Sequence, residues 1–447
     1  MPIPPEHSRR YVYHFTHLDN LEGIIRHGLL CPNQKEAQEI EHHSIANPNI
    51  QHRRAEMVVP CGPGGVVHDY VPFYFCPRTS MLLSVVNAKN VDQMYLMYLA
   101  LPISVLDRPD VVFTNASANT VDPPDFFSDS THAQDLAWDL IDSRKWGFPE
   151  EQKQARQAEV LVHQRVGIAD VDHIIVWNKA VKEWVLELFK EEGVTPPAVE
   201  FEGHNNKYHY YTPFYKGSKV SIVTGPIVTK IKFEESVKHI LDTGQNLGAR
   251  FTDIADLLNH LRVDLAHLPE TAELVGLESD NAVHHEDVGT HTRTVVENLR
   301  GSPEFAALSP QNQLLTELAA FLHDIGKGPK SRWADNDGRQ KVDPDHPIGS
   351  VEMLRRILTE EVRAIDPQSV RVLAKLVCYH DLVGDIVGKD RDPEQLEQIA
   401  ESVEDLDMLI ALGLADMRAL NFGGAEEIPA LRQRVLDHIN SQAADDE

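Results

Sequence analysis

At 447 residues the chain is too long for one ordinary core, and 42% hydrophobic with 25% charged residues is globular composition, so two or three domains are expected. A net charge of −27 excludes a surface that holds nucleic acid by wholesale phosphate neutralisation; any such contact needs a local cationic groove. No apolar run approaches the roughly 20 residues of a membrane span, which excludes a helical membrane protein.

The N-terminus, Met1-Pro2-Ile3-Pro4-Pro5-Glu6, lacks the basic and apolar regions of a signal peptide. Cys31, Cys61, Cys76 and Cys378 show no CxxC spacing, which argues against a zinc ribbon or disulfide framework and for a reducing cytoplasm. Up to about residue 215, short β-like runs at 11–15, 71–75, 95–103, 159–166 and 173–177 alternate with helices. Residues 19–27 read as a helix capped by Asp19 or Asn20, with Leu21, Ile24 and Ile25 as its apolar face and Gly28 as its stop. An aromatic, turn-rich seam begins at His209, and 219–232 reads as a β-hairpin broken at Gly225-Pro226. From about 234 the pattern is almost wholly helical, ending in an acidic tail at 441–447 that is expected to be disordered.

Three stretches of the first half carry chemistry. On the strand around Tyr13-His14-Phe15-Thr16-His17, alternation puts His14 and Thr16 on one face, giving a wall a ring nitrogen and a hydroxyl suited to a dinucleotide; a half-buried strand with incidental polar residues is the plainer reading. Arg53-Arg54 precede a Pro/Gly-rich loop, an arrangement that can hold a pyrophosphate, or else a surface pair before an ordinary turn. Glu159 opens the apolar run Glu159-Val160-Leu161-Val162. There a carboxylate can grip a ribose hydroxyl and favour oxocarbenium character, or simply pair with Arg156.

Together the stretches YHFTHLDNLEGIIRHGLL, SIANPNIQHRR, GPGGVVHDYVPFYFCPRTSML, VVFT and RQAEVLV, from His14 to about Tyr211, resemble the DarT family of DNA ADP-ribosyltransferases, the toxin half of a toxin–antitoxin system. The resemblance implies an α+β ADP-ribosyltransferase fold that cleaves NAD at the nicotinamide bond and transfers ADP-ribose to a base in single-stranded DNA, with RNA as the alternative acceptor. It implies that Glu159 is the catalytic glutamate and Arg54 the active-site arginine. It also implies that His14, Thr16, Asn20, Arg54 and Arg78 bind NAD, beneath a covering segment from about Cys31 to Arg54. An antitoxin partner is implied as well. The chain departs from the family at His52, where an acidic residue is usual, and at Thr79-Ser80, where Ser-Pro is usual.

In the second half, Leu314, Leu318, Phe321, Leu322 and Ile325 bury a helix that ends in His323-Asp324, and Gly326-Lys327-Gly328 terminates it. His291, His346, His380 and Asp416 add N and O donors at helical positions. Six such donors without a thiolate suit Mn, Fe, Co, Ni, Zn or Mg better than a structural zinc site, although any one of these histidines alone reads as structural. Taken in order, Thr290-His291-Thr292, Leu322 to Lys327, Asp345-His346-Pro347, Tyr379-His380-Asp381 and Leu414-Ala415-Asp416 resemble the HD phosphohydrolase superfamily. That resemblance implies an all-α helical bundle in which a metal-activated water attacks a phosphate ester or anhydride. His291, His323, Asp324 and Asp416 would form its core site, His346 and His380 a second metal position, and Lys327 a phosphate contact. The substrate would be a phosphate-containing small molecule or a nucleic-acid end.

The expected organisation is a transferase domain at 1–212, a β-hairpin and helical connector at 213–275, an HD domain at 276–436 and an acidic tail at 437–447. The leading functional expectation is a toxin-like or phage-defence effector with two active sites. The alternatives are an HD hydrolase regulated by the first domain, or an HD domain that senses or inhibits without hydrolysing.

Overall fold

The computed structural model describes residues 3–45, 48–120, 122–143, 148–201, 209–211, 223–280 and 286–445. Two compact units emerge: Met1–Asn87 with Val91–Ile222, and Ala88–Asn90 with Val223–Glu447. The residues 212–222, which include much of the aromatic seam and the start of the expected hairpin, lie outside those described.

The first unit is an α+β fold. Its strands are β1 (Tyr11–His17), β2 (Leu29–Leu30), β3 (Tyr70–Tyr74), β4 (Leu96–Pro102), β5 (Val111–Thr114), β6 (Phe126–Phe127), β7 (Glu159–His163), β8 (Arg165–Val166), β9 (His173–Val176) and β10 (Ala198–Phe201). Eight of them form one sheet in the order β10-β9-β4-β1-β3-β7-β5-β6, and β2 pairs with β8 apart from it. All pairings are antiparallel except β9 with β10. The central β4 is apolar on both faces and buried along Leu96 to Leu101, as a strand covered on both sides must be. Around the sheet lie α1 (Leu21–His27), α2 (Pro32–Ala37), α3 (Pro48–Glu56), α4 (Ser80–Asn87), α5 (Trp138–Ile141), α6 (Glu150–Arg156) and α7 (Lys179–Glu191).

Helix α1 starts slightly later than its sequence suggests. A 3-10 turn over Leu18–Asn20 precedes it, Asn20 stands at the cap position without a side-chain cap bond, and the His17 ring accepts the Asp19 amide instead. Gly28 ends it at φ 80°, and a Cβ there would run into the Val166 carbonyl at 2.8 Å, so only glycine suits both the turn and the close approach.

Among its described residues the second unit has helices and isolated bridges but no strand. It contains α8 (Pro226–Thr243), α9 (Ile254–Val263), α10 (Pro269–Ala272), α11 (Val288–Arg300), α12 (Pro303–Ala306) and α13 (Pro310–Leu322). After these come α14 (His346–Arg356), α15 (Pro367–Cys378), α16 (Leu382–Lys389), α17 (Glu394–Ile399), α18 (Val403–Ala419) and α19 (Ile428–Asp445). Its core joins the apolar faces of α11, α13, α14, α15 and α18. Asp287, Ser309, Asp366 and Ser402 cap α11, α13, α15 and α18 by accepting backbone N–H bonds, which fixes where each of these helices begins.

Two expectations are corrected here. Of the segment 219–232 read as a hairpin, residues 219–222 lie outside those described, and Pro226 to Lys232 are the start of α8. Gly225 is its cap residue and Pro226 its first residue, a position where the missing N–H of proline costs nothing. The stretch expected to be disordered from 441 continues α19, which runs to Asp445.

Candidate functional site

In the first unit a cavity of about 400 Å³ opens between the sheet and the segments that follow β1, with His14, Arg54, Tyr74, Met81, Ser117 and Gln154 in its wall. Arg54 sits on α3 and is nearly buried, while its neighbour Arg53 is exposed. Its Nη1 donates to both carboxylate oxygens of Glu159, at 3.1 and 3.0 Å, and to the Ala118 carbonyl at 3.3 Å. Glu159 is fully buried at the start of β7. Its Oε1 also accepts the Ala118 amide at 2.8 Å and the Ser117 hydroxyl at 3.3 Å. The arginine lines the cavity; the glutamate stands behind it. A buried charge pair of this kind holds its geometry because both carboxylate oxygens are hydrogen-bonded, Oε1 to three donors and Oε2 to Arg54.

Tyr74 faces Glu159 across the β3–β7 pairing and lines the same cavity. Burial and the nearby Glu159 carboxylate push its hydroxyl well above the ordinary tyrosine range. His14 donates from Nδ1 to the Pro72 carbonyl at 2.7 Å. Desolvation lowers its pKa to about 4, so the ring is neutral near pH 7 and presents Nε2 as an acceptor.

Of the residues expected at this site, the structure brings His14, Arg54 and Glu159 together. Thr16 and Asn20 are bonded to each other at 2.9 Å and do not line the cavity. Arg78 is buried with its guanidinium 5.6 Å from the Tyr211 ring centre, also away from the cavity wall. Tyr74, Ser117 and Ala118 escaped sequence reasoning. Tyr74 stands within the stretch HDYVPFYF and signals nothing by itself, and a backbone amide such as that of Ala118 leaves no mark in a sequence.

The second unit gathers all six expected donors. Asp324 is central. Its Oδ2 lies 3.3 Å from His323 Nε2 and 3.6 Å from His291 Nε2, and its Oδ1 lies 3.1 Å from His346 Nε2 and 3.9 Å from His380 Nε2. Asp416, on α18, meets His291 Nε2 at 3.0 Å. Three imidazoles are fixed from behind: the Nδ1 of His323, His346 and His380 bonds the carbonyls of Ala320, Asp343 and Val377 at 2.7, 2.7 and 2.9 Å. A carbonyl only accepts, so Nδ1 carries the proton and Nε2 presents its lone pair inward.

Two of those lone pairs, on His346 and His380, face each other at 3.1 Å. Burial, then His323 and His346, lowers the His380 pKa to about 3, so His380 itself carries no proton on that nitrogen near neutral pH. His323 Nε2, Asp324 Oδ1 and Asp416 Oδ1 are buried without a hydrogen-bond partner among the described residues. Converging lone pairs and orphaned carboxylate oxygens fit divalent cations, and the donors fall into two groups that share Asp324. Lys327 donates to Asp324 Oδ2 at 2.7 Å and is nearly buried.

The family described as "ssDNA thymidine ADP-ribosyltransferase, DarT" matches residues 13–215. A DNA ADP-ribosyl transferase of Thermus sp. (strain 2.9) is 37% identical over 187 residues, which span 40% of this chain and 87% of that protein. The chain belongs to the DarT family. Proteins of the same description from Thermus aquaticus and Mycobacterium tuberculosis are 35% and 28% identical, over 78% and 76% of their lengths and 39% and 37% of this chain. Among solved structures, Thermus sp. 2.9 DarT in complex with NAD+ is similar at 31% identity, covering 46% of this chain and all (100%) of that one, with a TM-score of 0.40. The same protein in complex with ADP-ribosylated ssDNA is similar at 33% identity, covering 47% and 100%, with a TM-score of 0.42. What this DarT-family chain adds is an HD domain, matched over residues 283–412. No helix among the described residues is long and apolar enough to cross a membrane.

Proposed function

We propose that the first unit cleaves NAD and transfers ADP-ribose to a base of single-stranded DNA, with Arg54 and Glu159 as the central pair. The observation that carries this reading is that pair at a cavity also lined by a neutral His14, in a chain whose curated relatives are DNA ADP-ribosyl transferases. In the reaction, nicotinamide departs with the electrons of its glycosidic bond, a ring nitrogen of the base bonds the ribose carbon, and the base releases a proton. Positive charge develops at the ribose. A carboxylate held rigid in a dry site stabilises that charge without reorganising, and Arg54, facing the cavity, supplies donors to an anionic dinucleotide. The test is radiolabelled or biotinylated NAD with a panel of DNA and RNA oligonucleotides of varied base composition. Label on single-stranded DNA supports the reading; label on RNA alone redirects it, and label on neither overturns it.

For the second unit we infer a metal-dependent phosphohydrolase, because the inward lone pairs and orphaned oxygens form an open donor set. His291, His323, Asp324, His346, His380 and Asp416 would hold the ions. A divalent ion bound there lowers the pKa of a coordinated water and polarises a phosphoryl oxygen. The chain's own contribution is to orient the imidazoles by the three carbonyl bonds and to neutralise Asp324 with Lys327. A toxin-like or defence role, kept in check by an antitoxin, suits a transferase that damages DNA, and expression toxicity that depends on Glu159 tests it.

A further inference from the structure

We propose that His17, Asp19 and His43 form a divalent-cation site of the zinc class, separate from the cavity and from the HD donors. The three belong to two stretches of chain: His17 ends β1, Asp19 lies in the turn after it, and His43 belongs to the segment that follows α2. Nδ1 of His17 and Nδ1 of His43 lie 3.1 and 3.3 Å from the same oxygen, Asp19 Oδ2. Tetrahedral zinc, with ligands at about 2.0–2.1 Å, sets neighbouring donors roughly 3.3 Å apart, so both spacings suit one ion between them. Two imidazoles and a carboxylate are also a donor set that zinc uses when water completes its sphere.

The tautomer strengthens the case. His17 Nδ1 accepts the Asp19 amide at 3.3 Å, so it carries a lone pair, and the same nitrogen faces the Asp19 carboxylate oxygen. Two acceptors turned on each other call for a cation between them, a proton or a metal ion.

The site is also built. His17 is 1% exposed and lies parallel to the Tyr95 ring, 6° apart at 5.9 Å. His43 is held by its backbone: its N–H donates to Asn20 Oδ1 at 2.7 Å and its carbonyl accepts from Asn20 Nδ2 at 2.9 Å. Asp19 and His43 are largely open to solvent, with 64% and 42% of their side chains exposed, which leaves room for water as a fourth ligand. The two imidazoles stack 3.9 Å apart and 12° from parallel, so binding requires His43, the exposed ring, to tilt toward the ion. Occupied, the site ties the segment around His43 to the end of β1.

The experiment uses the full chain and zinc as the probe, and it does not depend on the transferase reading. Wild type, His43→Ala and Asp19→Asn are dialysed against buffered zinc and their metal content measured. Each variant is expected to hold one equivalent fewer than wild type while keeping the metal of the HD donors. Amide exchange over 38–45 supplies a second readout. With free zinc at about ten times the dissociation constant, protection in wild type should rise about tenfold, and in His43→Ala it should not change. Equal metal content in wild type and His43→Ala, or exchange over 38–45 that ignores zinc in wild type, overturns the proposal.

Discussion

Glu159 and Arg54 illustrate how much one buried pair decides. The carboxylate accepts from Arg54, the Ala118 amide and Ser117, and the Glu159 amide donates to the Thr114 hydroxyl oxygen at 3.1 Å. Replacing Glu159 with alanine removes charge that acts mainly as the ribose becomes cationic, so transfer to DNA should fall roughly a hundredfold or more, chiefly in kcat. The measurement is labelling of an oligonucleotide, with circular dichroism to check the fold. Arg54→Ala should be comparably damaging and Arg53→Ala mild, because only Arg54 reaches the carboxylate and the cavity. Similar, mild effects at both positions would make the arginines a surface pair. His14 gives a pH expectation. Its pKa is depressed to about 4 by desolvation, so the neutral ring persists as pH falls through the usual histidine range. The KM for NAD should therefore show no protonation step near pH 6.5, and a clear step there that vanishes in His14→Asn would mean the ring titrates normally.

At the level of elements, the strands were legible because their apolar runs are short, β-branched and aromatic, and β1, β3, β4, β7 and β9 fall where those runs do. The HD helices were legible because Leu318, Phe321 and Leu322 bury one face and place His323-Asp324 at its end. What was not legible has physical causes. Gly225-Pro226 has the chemistry of a turn, but a glycine cap followed by proline also starts a helix, and only packing of α8 on α14 and α15 decides between them. Asn20 and Thr16 sit beside a motif histidine, yet the carboxamide serves the His43 backbone, a partner that local sequence cannot reveal. The register that sets Tyr74 against Glu159 is equally hidden. Gly326 marks an element-level constraint that can be tested. A Cβ there would collide with the His346 carbonyl and the Ser350 amide at the start of α14, so the turn after Asp324 packs directly against the helix that carries His346. Gly326→Ala should push α14 away, cost at least about 1–3 kcal/mol in the second unit, and lower metal content. Urea unfolding with metal analysis checks this, and an unchanged midpoint with full metal would mean that the helix shifts freely.

Across the molecule, two sets of polar side chains occupy two units, and each unit has its own core. The net charge of −27 is compatible with a DNA substrate because the contact needed is local: Arg54 lies in the cavity wall and Lys153 beside it. A substitution confined to one donor set should therefore leave the other activity standing, and His323→Ala combined with Asp324→Ala is the sharpest instance. Asp324 is the residue on which four imidazoles and Lys327 converge, and it belongs to both groups of donors. Its loss removes the negative charge that would hold two ions together, and the loss of His323 removes a ring fixed from behind by Ala320. Bound transition metal and phosphate release from nucleotide or oligonucleotide substrates should both disappear. Because an ion that binds only the folded state adds to its stability, the second unit should also lose the rise in melting temperature that added metal gives the wild type. NAD-dependent labelling of DNA should persist at close to the wild-type rate. Elemental analysis, phosphate release, thermal melts with and without metal, and oligonucleotide labelling on the same two preparations decide the matter. Wild-type protein that takes up no metal would leave the helical unit a binding module, and loss of labelling in the double variant would mean that the two units do not act independently.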